Sequence, residues 1–466
     1  MKIVEKIKKL MPEAVIYPCS LSEVAEGQGL MLRFRDKDLL LVSGSLCNRF
    51  VGEVLEDLCL CELTGENRKS LNTAFAHTFP QAFGSNCATF GFGDRFGYAN
   101  PVQLMSLKGL NILPVLAQQS MRELSLTGRT YEQVIDTASW AIFRQGWKSG
   151  FAADGDHLKT VEEVKTALKS GCSMITLDCS GAMNNLPMSQ SKRTYDQMDY
   201  IQNKKVKELG LKFDAVLLED LNQMYSAALQ FIIDVVELAI RPAGRTIDLE
   251  ISLDETNNVT SPEAHYYVVN ELARVDIKPT NLAPRFVGEF QKAIDYIGNP
   301  EEFRIQLRCH SQIADYFGHK LSLHSASEKF AIFPAMSQET KGRYHVKTSG
   351  TSWLEIVKCI AKKDAGLYRA MHEKALDNLE DAKKIYDVDC EISRIKHPNL
   401  FQDDKLPTLL EDTEKDTRQL MHITYGFILE DSTLHGRIYD FMEKYRDFYE
   451  SEALKLYKMH TAALTN

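Results

Sequence analysis

Residues 150–160 read GFAADGDHLKT, a short apolar run that passes directly into two carboxylates, a histidine and a lysine. The run at 150–154 has the length and composition of a buried strand, and ionisable side chains follow where it ends. Seven more strand-like runs surround it, at 89–93, 112–117, 174–178, 247–253, 279–283, 320–324 and 343–347. Helical patterns lie between them, at 131–144, 161–169, 195–209, 262–274 and 301–317.

This alternation predicts a parallel α/β sheet, and eight strands is the number of a (β/α)8 barrel of the TIM type. A doubly wound sheet is the alternative fold. We expect an N-terminal α+β segment over 1–88, with a helix at 2–10 and a strand at 39–42. The barrel then occupies 89–355, and a helical C-terminal region over 356–466 packs on it.

The bulk composition narrows the class of partner. A protein with a net charge of -9 obtains no binding free energy from the release of counterions, which argues against a nucleic-acid partner. The ten cysteines include no CxxC pair and indicate reduced thiols. Charges interrupt the N-terminal segment, and Asp234 and Glu237 interrupt the most apolar stretch, 229–240. We therefore expect a soluble cytoplasmic protein that binds a small molecule and no membrane, with a homo-oligomer left open.

Carboxylates and histidines at strand ends are the first candidates for chemistry. Asp156 and His157 can take separate roles, with His157 as a metal ligand and Asp156 as the acid/base. The structural alternative is that this segment is a polar turn that caps the next helix. Strand alternation places Glu250, Ser252 and Asp254 on one face. Inward carboxylates cost several kcal/mol unless they are paired or metal-bound, which favours a catalytic role for Glu250.

Two later strand ends provide further candidate metal ligands and a candidate anion-binding site. His324 is a candidate metal ligand, and Ser325 and Lys329 follow it in a loop suited to an anion. The run at 343–352 places His345 and Lys347 on one face, with His345 as a candidate third ligand. Lys347 and Thr348 then precede a helix, an arrangement that suits a phosphate or carboxylate.

Further substrate contacts are expected at other strand ends. Asp94 and Arg95 end the first strand, and Gln118 ends the second with an amide that can bond a polyol. Arg285 follows the strand at 279–283 and is a candidate carboxylate clamp. The glycines at 91–97 lack the spacing of a dinucleotide-binding fingerprint, so no NAD site is expected.

Taken together, these segments resemble the tagaturonate epimerase family of bacterial hexuronate catabolism. The runs that carry the resemblance are GFGDRFGYANP (91–101), PVLAQQSMREL (114–124), TGRTYEQVIDTASWAIF (127–143), GFAADGDHLKT (150–160), EISLDET (250–256), LAPRFVG (282–288), KLSLHSASEKF (320–330) and RYHVKTSGTSW (343–353). The resemblance implies an isomerase that interconverts D-tagaturonate and D-fructuronate, with one divalent cation (Zn, Mn, Ni or Co) as cofactor and a hexuronate as its small-molecule partner.

A more distant resemblance concerns mechanism. Gly155-Asp156-His157 and Leu323-His324-Ser325-Ala326-Ser327 are similar to the metal-dependent class II sugar aldolases, in which an Asp-His pair supplies the acid/base and one ligand. The third ligand stays open between His345 and a carboxylate such as Glu250.

The chemistry of the two sugars favours an aldolase-like site. The two ketouronates differ at the carbon β to the ketone, which enolisation cannot invert and retro-aldol cleavage can. We expect Asp156 to accept the hydroxyl proton and Glu250 to donate in the other direction, with Glu255 as the alternative donor. A sugar-acid aldolase or lyase, or a barrel without catalysis, are the competing interpretations.

Overall fold

The N-terminal region is a small antiparallel sheet, with one helix before it and one helix after it along the chain. The computed structural model of the chain describes residues 2–183, 195–254, 256, 258–386 and 388–465. Helix α1 spans Lys2–Leu10, as predicted. The sheet follows, with β1 Val15–Ile16, β2 Ser22–Val24, β3 Gly27–Phe34, β4 Lys37–Ser43, β5 Glu53–Leu55 and β6 Leu58–Glu62, and then α2 Gly65–Ala74. The predicted strand at 39–42 lies within β4.

Eight parallel strands close into a barrel in the order in which they occur along the chain, which confirms the (β/α)8 fold. They are β7 Ala88–Phe92, β8 Ile112–Ser120, β9 Ala152–Leu158, β10 Met174–Asp178, β11 Asp248–Ser252, β12 Asn281–Ala283, β13 Lys320–Leu323 and β14 Tyr344–Thr348. Strand β14 pairs with β7, with Lys347 opposite Gly91, so the sheet has no edge. Each predicted strand overlaps one of these eight.

Strand alternation gives the barrel a polar interior near its mouth. In β10, Ile175 and Leu177 are fully buried hydrophobic residues, whereas Thr176 bonds side chains of the neighbouring strands. The register places Thr176 beside Glu250 and Ser322 beside His345. Polar side chains from strands far apart in sequence therefore meet in one layer.

The helices around the barrel begin at clear capping signals. Thr130 and Thr160 each form a capping box, and Ser261 caps the helix that starts with Pro262. The barrel helices are α3 Asn100–Leu107, α4 Met121–Thr127, α5 Tyr131–Arg144, α6 Val161–Ser170, α7 Met198–Ile201, α8 Lys204–Glu208, α9 Ala215–Val235, α10 Pro262–Arg274, α11 Pro300–Phe317 and α12 Phe333–Glu339.

The single helix predicted at 195–209 is instead two short helices, α7 and α8. The break arises because the Asn203 side chain accepts from the backbone of Lys205 and Val206 and starts a new helix there. Helix α9 continues through one π turn and one 3-10 turn to Ala243. Over Ala215–Ala243 it is long and apolar enough to cross a membrane, but helices in the core of a globular protein can have the same length and composition. It packs against α6 and α10, and its Leu218, Leu221 and Ile232 are buried.

The C-terminal region is helical, as predicted, but broken into shorter helices. They are α13 Thr351–Lys363, α14 Ala365–Asp377, α15 Leu379–Lys383, α16 Lys415–Ile423, α17 Tyr425–Glu430 and α18 Ser432–Thr465. Helix α18 contacts α3, α12 and α13, so the end of the chain lies against the outside of the barrel. The segment between α15 and α16 returns toward the barrel mouth, where Tyr386 lines a cleft.

Candidate active site

Three side chains at the carboxyl ends of the barrel strands form a cluster that could hold a metal ion. His157 ends β9, Asp254 follows β11 and His324 follows β13, and one ligand atom from each lies within 4.8 Å of the others. The two imidazole centroids are 5.0 Å apart. Two imidazoles and one carboxylate are a donor set that suits a divalent transition ion. The residues present therefore fit the cation that the sequence led us to expect.

Each of the two histidines is also held by a carboxylate behind it. Asp156 Oδ1 lies 2.7 Å from His157 Nδ1, and Glu250 Oε1 lies 2.7 Å from His324 Nε2. Metal-binding histidines commonly use their second nitrogen in this way, which orients the ring and raises its basicity. Burial alone would lower the pKa of His324, but Asp254 and Glu250 raise it to about 10. The pKa of His157 is likewise raised by Asp156 against the effect of burial.

The buried ammonium of Lys347 joins the carboxylates beneath this cluster. Its Nζ lies 2.8 Å from Asp154, 2.5 Å from Asp156 and 3.0 Å from Glu250. Burial opposes the charge, yet the three carboxylates raise the pKa of Lys347 well above its usual value. An ammonium held in this way stays protonated and keeps its neighbours in place.

The carboxylates around Lys347 differ in pKa. Burial raises the pKa of Asp154 to about 6, although Lys347 acts in the opposite direction. Burial also acts against the charge of Asp156, but His157 and Lys347 lower its pKa far below the usual range. Glu250 receives bonds from Ser322, Asn281 and Lys347, and Lys347 and His324 lower its pKa despite complete burial.

An open cleft of about 830 Å³ lies above the cluster. Asp156, His157, Asp254 and His324 are among the residues that line it. Glu250 has no exposed side-chain surface and is not among the lining residues. Asp156 is thus the member of the expected acid/base pair that a substrate can contact, and Lys347 links it to Glu250. Glu255, the alternative donor, lies outside the described residues.

Five of the expected substrate contacts line the cleft: Gln118, Arg285, Ser325, Lys347 and Thr348. Three others do not, because they bond elsewhere. Asp94 accepts four backbone N–H bonds at the start of α3, from residues 97–100. Arg95 pairs with Glu123 at 2.9 Å and lies over the ring of Tyr425. The Lys329 ammonium donates to the carbonyls of Gln291, Ile294 and Ser327.

His345, the candidate third ligand, is placed apart from the metal cluster. It lies inside the barrel with Nδ1 2.9 Å from Thr89 Oγ1, and burial lowers its pKa to about 3. Asp254 occupies the third place in the cluster instead. The alternation of Glu250, Ser252 and Asp254 on one strand face was the signal that could have identified it.

Several cleft residues were not identified from the sequence. Asp178 ends β10 and pairs with Lys159 at 3.1 Å, and its position at a strand end could have revealed it. Arg122 lies over the ring of Tyr386, at 4.8 Å from its centroid. Lys292 donates to Ser325 Oγ at 2.7 Å. Arg122, Lys292 and Tyr386 stand in loops or helices, where no periodic pattern indicated that they face the cleft.

The fold and the site together define a (β/α)8-barrel enzyme whose ionisable residues gather at the carboxyl ends of its strands. A model of the tagaturonate epimerase family matches residues 17–464, and the chain belongs to this family, whose members are isomerases. A Thermotoga maritima protein named tagaturonate/fructuronate epimerase is 36% identical over 417 residues, which are 87% of this chain and 86% of that protein.

Solved structures show the same similarity over the whole chain. Fructuronate-tagaturonate epimerase UxaE from Cohnella laeviribosi, complexed with one glycerol, is 40% identical with a TM-score of 0.90 and covers 100% of this chain and 99% of its own. The native structure of that enzyme is 38% identical, also with a TM-score of 0.90, and the match covers 99% of this chain and 98% of that one.

Proposed function

We propose that this chain interconverts D-tagaturonate and D-fructuronate with the help of one divalent cation, through retro-aldol cleavage and re-addition. The observation that carries the proposal is the cluster of His157, Asp254 and His324 beside the cleft-facing carboxylate of Asp156. Family membership supplies the substrate class. The cluster supplies a place for the cation, which when bound acts as a Lewis acid toward the ketone side of the sugar.

Asp156 is positioned to exchange a proton with the sugar. It lines the cleft and is ionised at neutral pH, so its carboxylate can accept the proton of the hydroxyl β to the ketone. The bond between carbons 3 and 4 then breaks, and its electron pair moves toward the ketone. The former hydroxyl oxygen becomes an aldehyde, and rotation of this aldehyde before the bond re-forms inverts carbon 4.

The proton that Asp156 accepts returns to the aldehyde oxygen when the bond re-forms. Lys347 stays protonated and contacts both Asp156 and Glu250, and Glu250 also contacts His324. Glu250 therefore supports the acid/base step by holding Lys347 and His324 in place, because it is buried and does not face the cleft. Amide replacement at Asp156 or at Glu250 is expected to lower the rate by about 100-fold or more.

Arg285 is the cation that we assign to the uronate carboxylate. Of the three candidates, Lys329 is committed to backbone carbonyls and Lys347 to buried carboxylates. Arg285 lines the cleft, and its guanidinium makes no side-chain hydrogen bond or ion pair with the described residues. A planar guanidinium binds a carboxylate through two parallel bonds.

The test measures conversion of the sugar and the fate of the hydrogen on carbon 4. Protein loaded with a divalent cation is incubated with tagaturonate, and fructuronate is measured by proton NMR. Release of two three-carbon fragments instead would indicate an aldolase or lyase. Substrate deuterated at carbon 4 should react at nearly the normal rate and retain its label, because retro-aldol cleavage leaves that bond intact. A primary isotope effect or loss of the label would rule out this mechanism.

A further inference from the structure

Arg285 reaches the cleft from a loop whose backbone is held by one buried threonine. The loop follows β12, and the Arg285 guanidinium lies 5.8 Å from the ring centroid of Phe290. Thr260 N donates to the Arg285 carbonyl at 2.9 Å, and Arg285 N donates to Thr260 Oγ1 at 2.9 Å. The backbone of Arg285 is therefore fixed on both sides by Thr260, which is 3% exposed.

Thr260 is in turn held by one face of helix α11. His310 Nε2 lies 3.2 Å from the Thr260 carbonyl, and Gln306 Nε2 donates to the same carbonyl at 3.4 Å. Gln306 Oε1 accepts from Val287 N at 2.8 Å, two residues beyond Arg285. Gln306 and His310 are one helical turn apart, so a single face of α11 holds both Thr260 and the loop of Arg285.

A chain of buried imidazoles fixes the donor on His310. A carbonyl can only accept, so the proton of neutral His310 is on Nε2 and its Nδ1 accepts from His265, 3.0 Å away. His265 Nε2 then accepts from His319 Nε2 at 2.8 Å. Burial lowers the pKa of His310 to about 4 and that of His319 to about 3, which keeps the chain neutral. All three rings are at most 1% exposed.

We propose that His310 is a positioning residue for uronate recognition: through the carbonyl of Thr260 it holds Arg285 at the place where the substrate carboxylate binds. This inference rests on the proposed function and adds to it a determinant of specificity outside the cleft. His310 does not touch the substrate. Its effect is on the difference between an anionic uronate and the matching neutral ketohexose, which does not need Arg285.

The test compares the two sugars in three variants. His310→Phe keeps an aromatic ring against Phe286 but removes the bond to Thr260, and should raise KM for tagaturonate about tenfold with little change in kcat. Binding of the neutral ketohexose, measured by titration calorimetry, should be unchanged. His310→Gln carries a donor at the same reach and should restore the uronate KM. Arg285→Met should reproduce the loss and exceed it.

A matched control separates positioning from loss of stability. His372 is another fully buried histidine, bonded to Tyr368 in the C-terminal region, so His372→Phe should weaken the fold without changing sugar discrimination. If His310→Phe does not fold, Thr260→Val and Thr260→Ser give the same contrast, because only serine keeps the hydroxyl that accepts from Arg285. Equal losses for both sugars, or normal discrimination in these variants, would overturn the inference. Wild-type protein that does not convert tagaturonate would instead contradict the proposed function.

Discussion

At the scale of the residue, Lys347 has the most demanding position in the barrel. One ammonium balances Asp154, Asp156 and Glu250 in an interior from which water is almost excluded. Buried ion pairs add little net stability by themselves, but removal of one partner leaves charges with no compensation. The barrel therefore depends on this lysine for its fold as well as for its chemistry.

Lys347→Met should lower the free energy of unfolding by about 3–5 kcal/mol, because three carboxylates lose their common cation. Urea denaturation followed by circular dichroism measures the loss. Adding Asp154→Asn to this variant should recover part of the stability, since it removes the carboxyl whose pKa is already raised to about 6. A double variant no more stable than Lys347→Met would show that the carboxylates do not repel one another strongly.

At the scale of the element, helices α10 and α11 are joined by polar contacts as well as by packing. His265 stands on α10 and His310 on α11, and His319 follows α11 immediately before β13. The His265 ring bonds both His310 and His319, and all three rings are buried. Such a chain is stable only while the rings are neutral, because a proton there would be buried without a counter-charge.

The histidine chain predicts a loss of stability in acid. The folded pKa values of His310 and His319 are about 4 and about 3, whereas an unfolded histidine titrates near 6.5. Between these values the unfolded chain binds more protons, so the stabilisation is complete above about pH 6.5 and declines as pH falls toward 3. Each of these histidines lowers the free energy of unfolding by up to about 1.4 kcal/mol for every unit by which the pH falls.

The midpoints of urea denaturation, measured between pH 7.5 and 4.5, report how steeply stability declines with pH. His310→Gln should show a shallower decline than the parent protein, because the variant has one fewer proton to take up on unfolding. Other titrating groups, including His157 and His324, cancel in the comparison. Parallel curves for the two proteins would mean that the chain is not neutral in the folded state.

At the scale of the whole molecule, the candidate metal cluster links three parts of the barrel. His157, Asp254 and His324 belong to the ends of β9, β11 and β13, which are not neighbours in the sheet. A cation held by all three would therefore connect segments that only closure of the barrel brings together. Binding to the folded state alone raises its stability by mass action.

Addition of a divalent transition ion to chelator-treated protein should raise Tm and restore epimerase activity. His157→Ala and His324→Ala should reduce both effects, because each removes one ligand. His435→Ala, which changes a histidine of α18 in a separate cleft, should keep both. Full activity in metal-free protein, together with an unchanged Tm on adding the ion, would contradict the assignment of the cluster as a metal site.

Much of the architecture could be predicted from local patterns. Each barrel strand coincides with a short strand-like run between helical patterns, and helices α5 and α10 begin at residues of the types that cap helices. The prediction was wrong at 195–209, where Asn203 breaks the helix through its own side chain. A cap of this kind competes with the helix interior, and the periodicity of apolar residues does not report it.

The sequence by itself determined the eight strands and the strand ends at which His157, His324 and Asp156 stand, because these depend on patterns within about ten residues. Only the tertiary structure decided which side chains meet. Asp254 joins the two histidines while His345 bonds Thr89, and Arg285 faces the cleft while Lys329 is enclosed by carbonyls. The physical reason is that these contacts follow from barrel closure and register, which bring together residues that are far apart along the chain.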